Sequence, residues 1–191
     1  MFYMTEMSDV GFIRPADLSK DIRSILREQF GSKYIGRYLR DVGLVLDVLE
    51  VTELSHGKSL IGSPNVYVRA RFKVLTYLPL KDEIVEGEVE NIVDYGMFVS
   101  IGPISGFVHI SQLGDDVFIH RAGVLQSKKA KITFRKGDRV RARITTVSKP
   151  SPAALLRGEP IVKVSLTMRQ PKLGKIEEKG KDKGKEGESG G

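Results

Sequence analysis

From Glu83 onward, glycines and turns break the sequence into five short strand-like segments, and no strong helical pattern interrupts them. The predicted strands cover residues 86–93, 96–101, 106–110, 138–147 and 161–168. Five short strands with glycine corners are typical of a small closed β-barrel. We therefore expect residues 81–171 to form an all-β barrel domain.

Alternation along these strands separates an inward face from an outward face, because successive side chains of a strand point to opposite sides. In the third strand Val108 and Ile110 are expected to fill the barrel, which turns Phe107 and His109 outward. A bend at Gly96 would bring the rings on either side of it to the same surface. The predicted outward rings are Tyr95, Phe98, Phe107 and His109. The predicted outward basic residues are Arg139, Arg141, Arg143 and Lys163.

Charge is distributed unevenly over the same region of a chain whose net charge is +7. Residues 81–116 contain one lysine against eight carboxylates, whereas residues 117–171 contain thirteen lysines and arginines against two carboxylates. Such a reversal indicates a face that binds a polyanion, and nucleic acid is the first candidate. A single ring or arginine is more often structural or simply solvated. Together on a five-stranded barrel, these residues favour a platform for single-stranded RNA.

The N-terminal residues 1–80 predict an α+β domain with one main helix on an antiparallel sheet. Strands are expected at 2–13, 42–51 and 66–74. An apolar stripe at helical spacing between residues 18 and 34 predicts the helix. Asp17 or Ser19 is expected to cap its start, and Gly36 to end it in the left-handed conformation.

The last twenty residues, 172–191, contain six lysines, five carboxylates and six glycines. Such a segment cannot bury a core, so it is predicted to be a disordered charged tail. The predicted organisation is therefore an α+β domain over 1–80, a barrel domain over 81–171 and a tail over 172–191.

Several classes of function find no support in the sequence. Cysteine is absent, which excludes disulfides and thiolate metal sites and fits a reducing cytoplasm. No run of about 18 apolar residues predicts a membrane span, and the N-terminus does not resemble a signal peptide. His56, His109 and His120 lack metal-ligand spacing, and no nucleotide-binding or nucleophile motif occurs. We expect a cytoplasmic protein that is not an enzyme, with no catalytic residue, metal or cofactor and no membrane partner.

Four motifs in the second half resemble the OB-fold repeat of the large ribosomal protein S-one. They are Gly87-x-Val89, Tyr95-Gly96-Met97-Phe98-Val99, Gly106-Phe107-Val108-His109-Ile110-Ser111 and Val164-Ser165-Leu166-Thr167-Met168-Arg169. Such domains bind single-stranded RNA through two aromatics, a histidine and nearby basic residues, so the resemblance implies this role for Tyr95, Phe98 and His109. The chain departs from the pattern by a long insertion at 114–136 and by residues 149–160, which replace a short turn.

The order of the two halves, and the ending Leu166-Thr167-Met168-Arg169-Gln170-Pro171, narrow the resemblance further. Over roughly residues 1–174 the chain is similar to the E-prime subunit of archaeal RNA polymerase and its eukaryotic counterparts. This implies a non-catalytic stalk subunit that pairs with the small F subunit and receives nascent single-stranded RNA on the barrel. It also implies docking on the polymerase core subunits through the loop at 54–64, for which we select Leu60, Ile61 and Gly62.

Three other interpretations stay open. A translation initiation factor of the alpha-subunit type places its S-one barrel first, whereas here the barrel comes second. An RNA-exosome cap protein also carries this barrel, but with a different N-terminal β domain. A purely structural subunit would keep the barrel as a spacer that binds no RNA.

Overall fold

The computed structural model describes residues 1–129, 132–148 and 162–176. The chain divides into two compact units. Of the described residues, the first unit contains 1–83, 144–148 and 162–164, and the second contains 84–129, 132–143 and 165–176. The domain limits drawn from the sequence, 1–80 and 81–171, therefore stay a prediction. In the described part of the chain, no helix is both long and apolar enough to cross a membrane.

The first unit contains one helix packed on an antiparallel sheet, which confirms the predicted α+β fold. Its strands are β1 (Phe2–Ile13), β2 (Tyr38–Leu39), β3 (Gly43–Leu54), β4 (Lys58–Ser59) and β5 (Val66–Tyr77). They lie in the order β1-β5-β3-β2, and β4 pairs with β5. The helix α1 (Ile22–Tyr34) follows a 3-10 turn at Pro15–Asp17.

Burial follows the predicted alternation in β5, where Val68, Ala70, Phe72 and Val74 are buried. Helix α1 covers this face with Leu26 and Phe30, and the Phe30 ring stacks on that of Phe72 with centroids 4.3 Å apart. The apolar stripe therefore forms the core of this unit, as its helical spacing predicts.

The predicted start of the helix is wrong. Asp21 is the N-cap, because its carboxylate accepts hydrogen bonds from the backbone N–H groups of Arg23 and Ser24. Asp17 instead forms ion pairs with Arg14 and Lys20, and it lies in the 3-10 turn that precedes the helix. The predicted stop is confirmed, since Gly36 has a φ of 78°.

Five strands form the predicted closed barrel. They are β6 (Ile84–Val93), β7 (Gly96–Ser100), β8 (Ser105–His109), β12 (Arg139–Ser148) and β13 (Lys163–Thr167). They lie in the order β13-β8-β7-β6-β12, and a pairing of β13 with β12 closes the sheet. The inward side chains are small to medium-sized and almost fully buried: Val89, Met97, Val99, Val108, Val140, Ala142 and Leu166.

The insertion at 114–136 contains a three-stranded sheet that the sequence did not predict. Its strands are β9 (Phe118–Arg121), β10 (Val124–Ser127) and β11 (Thr133–Phe134), paired in the order β11-β10-β9. Leu125 is fully buried and lies opposite Phe134 in the β10–β11 pair, and the ring centroids of Phe118 and Phe134 lie 5.8 Å apart. The described part of the insertion therefore has its own small core.

The predicted disordered tail begins too early at residue 172. Gly174–Lys175 form the short strand β14, which pairs with β12 so that Lys175 lies opposite Val140. Lys175 Nζ also lies 2.7 Å from Asp138 Oδ2. The remaining tail residues, 177–191, and the predicted departure at 149–160 lie outside the described residues.

Candidate nucleic-acid interface

Four rings on the outer surface of the barrel form one cluster around Phe107. Its ring centroid lies 5.0 Å from that of Phe98, 5.5 Å from that of Tyr95 and 6.5 Å from that of His109. The ring planes meet at 50–67°. We call Tyr95, Phe98, Phe107 and His109 the ring cluster; the structure brings together all four rings that the sequence selected.

The pairing of β7 with β8 places these rings. Phe98 lies directly opposite Phe107, and Gly96 lies opposite His109. A side chain at Gly96 would collide with the Val108 carbonyl oxygen and the Phe107 ring, so glycine lets that ring lie across the neighbouring strand. Because Met97 and Val99 point into the barrel, the rings stand on the opposite, outer face.

The ring cluster combines packed and accessible surfaces. Tyr95 is 57% exposed, His109 is exposed, and Phe98 and Phe107 are half-buried. The Ser111 N–H donates to His109 Nδ1 at 3.2 Å. Nδ1 also lies 2.8 Å from Ser111 Oγ. In the tautomer in which Nδ1 accepts, the neutral imidazole carries its proton on Nε2. The ring is held in one orientation, with a hydrogen-bond donor on its far nitrogen.

The arginines of β12 lie farther from the ring cluster than the sequence suggests. Arg139, Arg141 and Arg143 are paired along β6 with Glu88, Glu86 and Ile84. On the other side of β6, Phe98 is paired with Asn91. At about 3.3 Å per residue, the three arginines are offset from Phe98 along β6 by roughly 10 to 23 Å, and β12 lies two strand spacings from β7. The arginine row therefore runs away from the rings.

Glu86 compensates part of the positive charge in that row. Arg141 donates to Glu86 Oε1 through Nη2 at 2.6 Å and Nε at 2.9 Å. Arg139 Nη2 lies 3.6 Å from Glu86 Oε2. The Nε of Arg143 is buried and makes no hydrogen bond with any described residue. Lys163 is exposed on β13.

One contact beside the ring cluster was missed from the sequence. His120 Nδ1, on β9 of the insertion, lies 2.6 Å from Asp94 Oδ1. Asp94 directly precedes Tyr95, so this contact joins the insertion to the turn that carries a ring of the cluster. No local pattern could reveal it, because the two residues lie far apart in the sequence and on different strands.

The loop selected for docking is exposed at the end of the first unit's sheet. Leu60 is 56% exposed and Ile61 is fully exposed. Gly62 has a φ of 84°, a left-handed conformation that favours glycine. Leu60 also lines a surface cleft of about 620 Å³ together with Val10 and Tyr67. Ile61 thus has the exposure predicted for an apolar anchor, whereas Leu60 has neighbours within its own unit.

The chain matches two family models and several curated proteins. Residues 78–152 match the S1 RNA binding domain, and residues 12–64 match the SHS2 domain found in the N terminus of Rpb7p/Rpc25p/MJ0397. The DNA-directed RNA polymerase subunit Rpo7 of Saccharolobus shibatae is 36% identical over 93% of this chain and 96% of its own length. Rpo7 of Sulfolobus acidocaldarius is 34% identical over 93% of this chain and 94% of its own length. The RNA polymerase II subunit rpb7 of Dictyostelium discoideum is 25% identical over 75% of this chain and 84% of its own length.

Proposed function

The chain belongs to the family of the DNA-directed RNA polymerase subunit Rpo7, and from this premise we propose that it is a non-catalytic polymerase subunit that binds single-stranded RNA. The predicted resemblance to the archaeal polymerase subunit with an S-one barrel is confirmed. The observation that carries the RNA-binding proposal is the ring cluster, which lies on the segment that matches the S1 RNA binding domain.

Bases would stack on the accessible faces of Tyr95 and Phe98, since such stacking contributes about 1–3 kcal/mol per base and tolerates every base. Phe107 supports both rings from between them, which limits the side-chain entropy lost when RNA binds. The Nε2–H of His109 can donate to a phosphate, a 2′-hydroxyl or a base edge. The proposed phosphate ligands are still Arg139, Arg141, Arg143 and Lys163. At Arg139 and Arg141 the positive charge available to a phosphate is reduced by the Glu86 carboxylate.

The assembly partners belong to the same proposal. The names of the relatives place them in DNA-directed RNA polymerases, which supports polymerase core subunits as partners of this chain. We further propose the small F subunit of the polymerase as its direct partner, the cytoplasm as its compartment, and Leu60, Ile61 and Gly62 as its contact with the core. The full exposure of the apolar Ile61 supports the last assignment.

Fluorescence anisotropy with a labelled oligouridine tests the RNA-binding proposal. Phe98→Ala removes a half-buried ring of the cluster and should weaken RNA binding roughly 5- to 150-fold, the equivalent of one stacked base. Phe12→Ala is the matched control, because Phe12 is 41% exposed and lies in the first unit. If folded Phe98→Ala protein binds RNA as tightly as the control, the ring cluster is not the RNA site.

A further inference from the structure

In the described part of the second unit, most of the basic side chains that lack a carboxylate partner lie on the insertion; Arg143 of β12 and Lys172 are the others. Arg139 and Arg141 share Glu86, while Arg169 binds Asp115 at 3.0 Å. Among the described residues, the exposed insertion cations that form no ion pair are Arg121, Lys128, Lys129, Arg135 and Lys136. Since a phosphate gains most from positive charge that no carboxylate already compensates, the insertion is the stronger candidate for its contact.

Arg135 and Lys136 lie in the turn that leads into β12, and this turn is attached to β6. The Gly137 N–H donates to the Val89 carbonyl at 2.8 Å, and the Val89 N–H donates to the Asp138 carbonyl at 2.9 Å. Val89 is two residues from Asn91, which is paired with Phe98. With strands about 4.8 Å apart, this places the turn on the order of 10–15 Å from the ring cluster.

A second attachment holds the other end of the insertion beside the rings. The contact between His120 and Asp94 places Arg121, the next residue on β9, close to the turn that carries Tyr95. The two attachments, at Val89 and at Asp94, align the insertion with the β6 side of the ring cluster. A single OB-fold covers about 4–16 nucleotides, so one RNA strand is long enough to reach both surfaces.

The charges on the outer face of β6 favour this path over one toward the arginine row. Glu86, Glu88 and Glu90 are exposed along β6, between β7 and β12. RNA that runs from the rings to Arg141 must pass these carboxylates. RNA that runs from the rings toward Arg121 passes the uncharged Asn91, while Asp94 is held by His120. The turn with Arg135 and Lys136 lies beside one of these carboxylates, Glu88, instead of beyond all three.

We propose that the insertion at 114–136 is a second RNA contact, which binds the phosphodiester backbone through Arg121, Arg135 and Lys136 while bases stack on the ring cluster. Lys128 and Lys129 lie at the other end of the β9–β10 hairpin, where the Lys128 N–H donates to the Val117 carbonyl. This assignment rests on the proposed RNA-binding function. It moves the main electrostatic contact from the arginine row of β12 to the insertion, whose folding depends on the buried Leu125 and not on these exposed cations.

The salt dependence of oligouridine binding by the full chain tests the proposal. Arg135→Gln/Lys136→Gln removes two charges from the insertion, and Arg139→Gln/Arg141→Gln removes two from the arginine row. For the insertion variant, the plot of log affinity against log salt should become shallower by about 1.4, since each phosphate contact contributes about 0.7. Its affinity in 0.1 M monovalent salt should fall roughly 10- to 30-fold. The arginine-row variant should lose less than half of that slope.

Phe98→Ala, measured alongside, separates the two levels of the proposal. If Phe98→Ala weakens binding but the insertion variant keeps the wild-type slope, the insertion contact is wrong and the RNA-binding function stands. Equal losses of slope in the two double variants would also overturn the insertion contact, because the change in net charge alone would then explain both losses. If neither Phe98→Ala nor the insertion variant changes binding, the proposed function itself fails.

Discussion

At the scale of single residues, the ring cluster depends on Gly96, because glycine has no Cβ to occupy the space beside the Phe107 ring. Gly96 faces His109 across the β7–β8 pair, and the Phe107 ring lies where its Cβ would be. The carbonyl oxygen of Val108 blocks the same space from the backbone side. Neither neighbour can move far without opening the strand pair, so any larger residue must displace the rings.

Replacing Gly96 with alanine should therefore weaken RNA binding even though only one methyl group is added. We expect at least a fivefold loss of oligouridine affinity, because the displaced rings no longer provide the stacking of one base, which contributes at least about 1 kcal/mol. Gly31→Ala in helix α1 is the control, since its Cβ would make an ordinary contact of 3.5 Å with Ile35, just after the helix. Binding of Gly96→Ala protein at the wild-type level would show that the close packing of the rings is irrelevant to RNA.

Asp17 makes a pH-dependent contribution to the stability of the first unit. Hydrogen bonds from Lys20 and from Arg14 lower the pKa of its carboxyl group below the usual value of 3.8. The folded pKa thus lies below the unfolded one, so the stabilisation is complete above about pH 4 and is lost as the pH falls through the folded pKa.

Asp17→Asn should consequently lower the urea midpoint at pH 7 and leave it unchanged at a pH below the folded pKa. Asp41→Asn is the control, because the Asp41 side chain is 89% exposed. Circular dichroism in a urea series at both pH values measures the difference. A loss of equal size at both pH values would mean that the charge of Asp17 contributes nothing.

At the scale of elements, the insertion shows what a sequence pattern can and cannot reveal. The strands of the barrel alternate over five to ten residues, and their inward valines identify them. Strands β9 and β10 have four residues and β11 and β14 have two, too few to show a period. Their existence depends on pairing and on burial of residues such as Leu125, which a linear pattern does not encode.

The same limit applies to the candidate site. The ring cluster was predictable because alternation is local and β7 and β8 are consecutive strands. The pairing of Arg141 with Glu86 joins residues 55 positions apart, so its compensating charge could not be foreseen. The alternation along β12 therefore predicts that the arginines of the row face outward, but not that Glu86 compensates part of their charge.

Removing the core of the insertion should unfold that element selectively. Leu125→Ala deletes a fully buried side chain and should cost about 2–5 kcal/mol of local stability. Hydrogen exchange should then accelerate in β9, β10 and β11, and less in β7 and β8. Gln126→Ala, at an exposed neighbouring position, should leave exchange unchanged. Full protection of the insertion in Leu125→Ala protein would contradict the packing described for it.

At the scale of the whole molecule, we assign polymerase docking to the first unit and RNA binding to the second. Leu60→Asp/Ile61→Asp should leave the protein folded and still bound to the small F subunit, but should abolish recovery of core subunits in a pull-down. Leu18→Asp/Ile35→Asp is a matched control, because these residues are 53% and 47% exposed. Normal recovery of the core by the Leu60 and Ile61 variant would place the docking contact elsewhere.

The central claim is that this polymerase subunit holds the transcript on its ring cluster, and photocrosslinking within a transcribing polymerase tests it most directly. A photoreactive phenylalanine analogue is introduced at Phe98 or, as the control, at Phe12, and the assembled enzyme elongates a radiolabelled transcript. We expect labelled RNA attached to the chain that carries the analogue at Phe98, and little or none at Phe12. Equal labelling at both positions, or no labelling at Phe98 in an enzyme that elongates normally, would contradict the claim.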